Sequence, residues 1–218
     1  MKIGIVGGTG PAGSSLALRL ASAGHQVWIG SREESKALVV LEEVLQRFPN
    51  EDLSLFAASN ERAAQCALVV VATPWDTTLR AVEPLLGALS GKTVISMANA
   101  LMRVGSELQA VIPARGSAAQ TLQSALPESK VVAALHHVPA KELGTISSPI
   151  EADVLVCSDY EKEGREVVEL LSSLPGMNSY FAGSLSQAGP IEAMTAVLVN
   201  LNIRYKTRVA LRVIGIPK

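Results

Sequence analysis

Short apolar runs alternate along the chain with stretches in which apolar residues recur every three or four positions. The runs 2–6 (KIGIV), 25–29 (HQVWI), 53–56 (LSLF), 67–72 (ALVVVA), 92–96 (KTVIS) and 130–135 (KVVAAL) are nearly continuous in Val, Ile, Leu and Ala. Strands covered by helices on both faces carry that pattern. Helical patterns at about 12–23, 32–47, 59–65, 76–89 and 117–125 separate them. This alternation predicts a parallel α/β sheet. Ser31–Glu34, Ser117–Gln120 and Ser158–Glu161 have the spacing of a capping box and predict helix starts. After about residue 140 the rhythm changes. A loop through Pro149 leads to a strand at 153–157 (DVLVC), a helix near 160–173, a short strand at 179–182 (SYFA) and a long apolar helix from about Pro190. A boundary is expected at 140–150.

The loop after the first strand reads Gly8-Thr9-Gly10-Pro11-Ala12-Gly13, a G-x-G-x-x-G run. Alone that pattern is weak. Between a strand and a helix it predicts a pyrophosphate-binding turn, with free N–H groups and the positive end of a helix dipole facing the anion. The second strand ends in "GSREESK", where an acid usually holds the ribose 2′-hydroxyl of NAD. Here Ser31 can donate a hydroxyl hydrogen bond and Arg32 can grip a phosphate with two N–H groups. Lys36 lies four residues on, hence on the same helix face. The three predict a site for the 2′-phosphate of NADP(H). The alternative is that Ser31 caps the helix, with Arg32 and Lys36 on a solvated face.

Composition narrows the partners. The 218 residues are 48% hydrophobic and 18% charged, enough for a sizeable core, and the net charge is −1. Neither nucleic acid nor an anionic membrane is expected, and no apolar stretch approaches the roughly 20 residues that span a bilayer. Cys66 and Cys157 lie far apart beside apolar runs and are read as buried thiols in a reducing compartment. A soluble cytoplasmic protein is expected, with no metal site, because no His, Cys and carboxylate residues have ligand spacing.

Ligands in such sheets sit at the carboxyl ends of strands. That rule singles out Thr73 and Pro74 in "ATPWDTT", Ser96 and Met97 after the fifth strand, and "ALHHVPA" after the sixth. In "ATPWDTT" the plain alternative is a strand stopped by Pro74, a helix capped by Asp76 and a packed Trp75. In "ALHHVPA" it is one histidine in the core and one in solvent. No Tyr has a Lys four residues on, and no G-x-S-x-G occurs. From Ala193 to Lys218 there is no acid, yet Arg204, Lys206, Arg208, Arg212 and Lys218 occur. This segment could face an anionic ligand or a partner subunit, or could be a solvated helix face.

"GGTGPAG", "GSREESK", "TPW", "ALHHVPA", "DVLVC" and "AGSLSQAGPIEAMTAVLVNLN", in that order, resemble the F420-dependent NADP oxidoreductases essentially end to end. The resemblance implies an α/β fold: a Rossmann-type doubly wound parallel sheet over 1–145, with a small C-terminal α+β domain over 146–218 that holds an F420 pocket and a subunit interface. It implies reversible hydride transfer between NADP(H) and coenzyme F420, a 5-deazaflavin with a phosphate-bearing tail. By the same resemblance, Thr9 and Ala12 meet the NADP phosphates, and Ser31, Arg32 and Lys36 meet the 2′-phosphate. His136, Val138 and Ala140 lie beside the reacting rings, and Thr195 lies near F420. His136 is expected to orient rather than to transfer a proton. A homodimer or higher homo-oligomer is implied. Some members carry an arginine where Gly189 stands here, and the terminal basic residues could replace it. An NADPH-dependent imine or keto-acid reductase, with Lys141 as the nearest lysine, and a non-catalytic NADP-binding sensor are the other readings. A ferric-reductase-type module would need a membrane half that this sequence lacks.

Overall fold

A computed structural model of the chain describes residues 1–216. The first half alternates strand and helix: β1 (Lys2–Val6), α1 (Pro11–Ser22), β2 (Gln26–Ser31), α2 (Glu34–Arg47), β3 (Leu55–Ser59), α3 (Asn60–Ala63) and β4 (Leu68–Val71). Then come α4 (Thr78–Val82), α5 (Leu86–Leu89), β5 (Thr93–Ser96), a hairpin of β6 (Leu101–Val104) and β7 (Glu107–Ala110), α6 (Ala118–Ala125), β8 (Lys130–Ala133) and α7 (Ala140–Leu143). The chain closes with β9 (Asp153–Val156), α8 (Glu161–Ser172), β10 (Asn178–Phe181) and α9 (Ala188–Tyr205).

Six strands form one parallel sheet in the order β3-β2-β1-β4-β5-β8. This is the doubly wound order, which reverses at β1 and opens a crevice at the strand ends. The unbroken apolar runs now have a reason. In β4, Leu68 and Val70 belong to one core and Val69 and Val71 to the other, so both faces are covered. The first core lies under α1 and takes in Val154, Val167 and Met177 from beyond residue 150. The second lies under α5 and α6 and takes in Cys157, Leu185 and Ile191. β9 and β10 run parallel, joined through α8. A two-bond bridge between Ala133 and Cys157 ties this unit to the end of β8.

Several expected elements differ. The third strand is Leu55–Ser59 rather than 53–56, because pairing with β2 from Val27 to Ser31 sets its register. The helix expected at 76–89 breaks into α4, a 3-10 turn at Glu83–Leu85 and α5. Pro84 lies in the turn and cannot donate to a continuous helical ladder. Asp76 caps nothing, since the residue before α4 is Thr77. Of the three capping boxes, only Ser117 caps its helix, accepting from the Gln120 N–H at 2.9 Å. Ser31 ends β2, and Ser158 is buried with its hydroxyl donating to the Val131 carbonyl at 2.8 Å. The β6–β7 hairpin was not anticipated. Its strands are mostly exposed, and Asn200 of α9 holds it through both the Leu108 N–H and carbonyl.

Candidate active site

The turn after β1 carries the glycine loop into α1. A Cβ on Gly13 would lie 2.8 Å from Gly8 Cα, so close packing of helix on strand demands glycine there. Gly10 differs, because a Cβ there would meet only the Gly7 carbonyl oxygen, at 3.6 Å. The fold does not need glycine at position 10, whereas a phosphate approaching the backbone does. No side chain caps α1, and the Ala12 and Gly13 amides have no acceptor among the described residues. Asn60, buried at the start of α3, accepts the Gly7 N–H at 3.2 Å and props the loop.

Beside this loop lies a cavity of about 370 Å³, bordered by Thr9, Gly10, Ser31, Arg32, Lys36 and Thr73, and also by Glu33, Asn60, Pro74 and Arg80. Ser31 is buried, and its Oγ accepts the Glu33 N–H at 3.4 Å. Lys36 Nζ lies 2.7 Å from the Glu33 carboxylate. That ion pair holds the Glu33 carboxyl below its usual range. Arg32 and Arg80 have no ion-pair partner among the described residues. Two unpaired guanidinium groups, one paired lysine and an uncapped helix start make this an anion-binding cavity. It fits a phosphorylated dinucleotide.

A second cavity of about 260 Å³ opens where β5 and β8 end, with Ala12, Met97, Asn99, His136, Val138 and Ala140 on one side and Thr195 of α9 on the other. Ala12 and Gly10 thus border different cavities two residues apart, so a molecule crossing the glycine loop reaches both. Leu135 turns the chain with φ +66°, and the Val138 N–H donates to the Leu135 carbonyl at 3.1 Å. A buried leucine in this left-handed region costs roughly 1–3 kcal/mol, strain of the kind stored at functional sites. The turn carries His136 into the cavity. Asn99 Nδ2 donates to the His136 carbonyl at 2.6 Å, and Thr195 Oγ1 lies 3.4 Å from the same oxygen.

The two histidines have separate fates. Nε2 of His137 donates to the Asp153 carbonyl at 3.0 Å, making it a core residue. His136 is buried too, but neither of its ring nitrogens has a partner among the described residues. Burial, with a smaller contribution from His137, pulls the His136 imidazole down to about 3, and the Ala134 backbone only partly opposes this. Between pH 6.5 and about 3 the unfolded chain takes up a proton that this folded ring refuses. Stability is therefore full above pH 6.5 and falls on acidification, by up to about 1.4 kcal/mol per pH unit for this one ring. Burial pulls His137 the same way. A His136→Leu variant is expected to show a shallower fall of the urea midpoint from pH 6.5 to 4.5. An unchanged slope would mean that the ring is protonated in the folded protein.

The remaining expected residues fall as follows. Gly8 and Gly13 support the turn. Pro11 opens α1 and faces a separate depression between α1 and α2. Ser96 ends β5 but borders neither cavity, and its buried hydroxyl has no partner among the described residues. The terminal basic segment is not a bare patch: Arg204 pairs with Glu107, Arg208 with Glu142 and Arg212 with Asp153. Lys218 lies outside the described residues. At Gly189 a Cβ would sit 2.8 Å from the Gly116 carbonyl oxygen, so α9 begins too close to that loop for a side chain. Cys66 and Cys157 are free and buried, and burial pushes the Cys157 thiol up to about 12. Glu33, Asn60, Arg80 and Asn99 were missed. Asn60 and Asn99 follow strand ends, a signal hidden at Asn60 by the misplaced third strand.

Strand order, glycine loop and crevice define a Rossmann-type dinucleotide-binding protein. The family described as "NADP oxidoreductase coenzyme F420-dependent" matches residues 2–100. The F420-dependent NADP reductase of Methanocaldococcus jannaschii is 34% identical over 213 residues, 95% of each chain. That of Methanothermobacter marburgensis is 34% identical over the full length of both. The chain belongs to the F420-dependent NADP reductase family. Its fold also matches a crystal structure from Arthrobacter sp. FB24, a candidate F420-dependent NADP reductase, with a TM-score of 0.82 and 26% identity over 97% of this chain and 100% of that one.

Proposed function

We propose that this protein moves a hydride reversibly and directly between NADP(H) and coenzyme F420. One observation carries the reading beyond kinship: among the described residues no Lys, Tyr, Asp or Glu borders the His136 cavity, and burial keeps His136 itself uncharged. Reduction of an imine or ketone needs a proton donor at the reacting atoms. Direct hydride transfer between ring carbons needs alignment at about 3–3.5 Å, and small apolar walls suit that. When bound, NADP(H) and the deazaflavin supply the donor and acceptor carbons.

The residues then divide as follows. Gly8, Thr9, Gly10, Pro11, Ala12 and Gly13 form the turn that receives the pyrophosphate. Ser31, Arg32 and Lys36 take the 2′-phosphate. Thr73, Pro74 and Met97 shape the crevice at the strand ends, and Ser96 ends β5 just before Met97 without bordering either cavity. His136, Val138 and Ala140 line the space for the stacked rings. His136, uncharged, orients by hydrogen bonding, and Thr195 helps hold the F420 side. Residues 1–145 act as the NADP-binding part and 146–218 as the part completing the F420 pocket. The partners are the two small molecules, with no nucleic acid or membrane. Among the described residues no helix is long and apolar enough to cross a membrane. The protein works in the cytoplasm as a homo-oligomer, for which the exposed Val197, Ile203 and Tyr205 of α9 are the natural seat.

The test is optical. Mixed with F420 and NADPH, the protein is expected to bleach the deazaflavin absorbance rapidly, and to do so far more slowly with NADH. Equal rates would keep the acceptor and remove the 2′-phosphate site. No bleaching, with NADPH still bound, would shift the assignment to a sensor or to another reductase.

A further inference from the structure

We propose that Asn99 and His136 together hold the carboxamide of the nicotinamide ring, which makes Asn99 a substrate-contacting residue that sets the presented face of the ring. This rests on the NADP(H) reading above.

Four buried polar atoms of residues bordering this cavity have no partner among the described residues: Asn99 Oδ1, both ring nitrogens of His136, and Nδ1 of His137, whose Nε2 is already bonded to the Asp153 carbonyl. The first three belong to the two side chains that meet here. Buried polar groups are nearly always hydrogen-bonded, and each unmade bond costs about 1–3 kcal/mol. Their chemistry is complementary to one group. Asn99 Oδ1 is an acceptor whose direction is settled, because its Nδ2 donates to the His136 carbonyl at 2.6 Å. Exchanging the amide nitrogen and oxygen would set two oxygens against each other. His136, kept neutral by burial and by His137, has one N–H and one lone pair. A primary carboxamide presents N–H donors beside a carbonyl acceptor. Its N–H can enter Asn99 Oδ1 while its oxygen takes the imidazole N–H.

Topology selects the nicotinamide. Asn99 follows β5 and His136 follows β8, in the half of the sheet across β1 from the cavity of Arg32 and Lys36. A doubly wound sheet binds the two halves of a dinucleotide on its two sides. Ala12, at the start of α1, borders the same cavity, so the pyrophosphate end lies adjacent. With ring rotation fixed by two bonds, one face of the ring is turned toward the acceptor.

The test compares NADP+ with its 3-acetylpyridine analogue, which keeps the carbonyl but carries a methyl in place of the amide nitrogen. Dissociation constants are measured by calorimetric titration. The native protein is expected to bind the analogue about five- to twentyfold more weakly. In Asn99→Ala, NADP+ weakens by a similar factor, the analogue hardly changes, and the preference collapses to within about twofold. Equal weakening of both ligands would overturn the proposal, leaving Asn99 as a brace for the His136 carbonyl. So would a change confined to F420 affinity. The native preference needs no folded variant, and its absence alone would also overturn it. Selective NADP+ binding without F420 bleaching would instead sink the proposed activity and leave this site standing.

Discussion

Replacing Arg32 by alanine is expected to raise the KM for NADPH by about 10- to 150-fold while leaving turnover with NADH within about twofold. The range is one charge-assisted hydrogen bond, about 1.5–3 kcal/mol, converted at 1.4 kcal/mol per decade. Arg32 is the natural carrier because it has no ion-pair partner among the described residues and borders the cavity beside Ser31. Lys36 is less available, since its ammonium lies 2.7 Å from the Glu33 carboxylate. Lys36→Ala should therefore cost less than Arg32→Ala, and Glu33→Gln should lower the KM for NADPH by freeing Lys36. All three effects shrink as salt rises, because the site is exposed to solvent. Steady-state kinetics with both nucleotides decides the matter. Loss of equal size with NADH would place Arg32 on an ordinary solvated face.

Arg19→Met is expected to lower stability by about 3–5 kcal/mol, the range found when one side of a buried charged interaction is removed. For a chain of this size that is roughly 6–20 °C in melting temperature. Arg19 is among the largest fully buried side chains, at 1% exposure. Its guanidinium donates to the carbonyls of Glu142 and Leu143 at the end of α7 and of Thr145 and Ser148 just past it. Burial lowers its affinity for the proton, and Glu142 opposes that. The methionine fills the space but leaves four carbonyls without their donor. Arg19→Lys offers one point charge that cannot span four acceptors, and should fall between the two. The same bonds fix the segment following His136 to Ala140. Glu142 then grips Arg208 at 2.6 Å, the residue immediately before the Val209–Leu211 stretch that returns past the cavity to β9. Urea denaturation would settle it, and a loss under 1 kcal/mol would mean that water replaces the guanidinium.

What could be read from the chain was what neighbours in sequence decide. The apolar runs of β1, β4, β5 and β8 are strands because both faces of each are buried, and burial on both faces leaves an unbroken apolar stretch. The glycine loop is legible because a tight turn at a helix start imposes its demands within six residues. Ser31, Arg32 and Lys36 border one cavity because a strand end and the first turn of the next helix are local neighbours.

What the tertiary structure decided was every pairing across a long stretch of chain. Ser158 has capping spacing, yet its hydroxyl goes to Val131 of β8. The third strand starts two residues later and ends three residues later than its own sequence suggests, because β2 set the register. The β6–β7 hairpin has no apolar signature because it is held by Asn200 rather than by burial. The basic terminal segment looked free only because Glu107, Glu142 and Asp153 lie 97, 66 and 59 residues away. Asn99 and His136 stand 37 residues apart and meet only because β5 and β8 are adjacent in the sheet. Propensity and periodicity act over one turn or one strand. Which strand ends share a crevice, and which polar atoms there are left without partners, follows from the order of the strands.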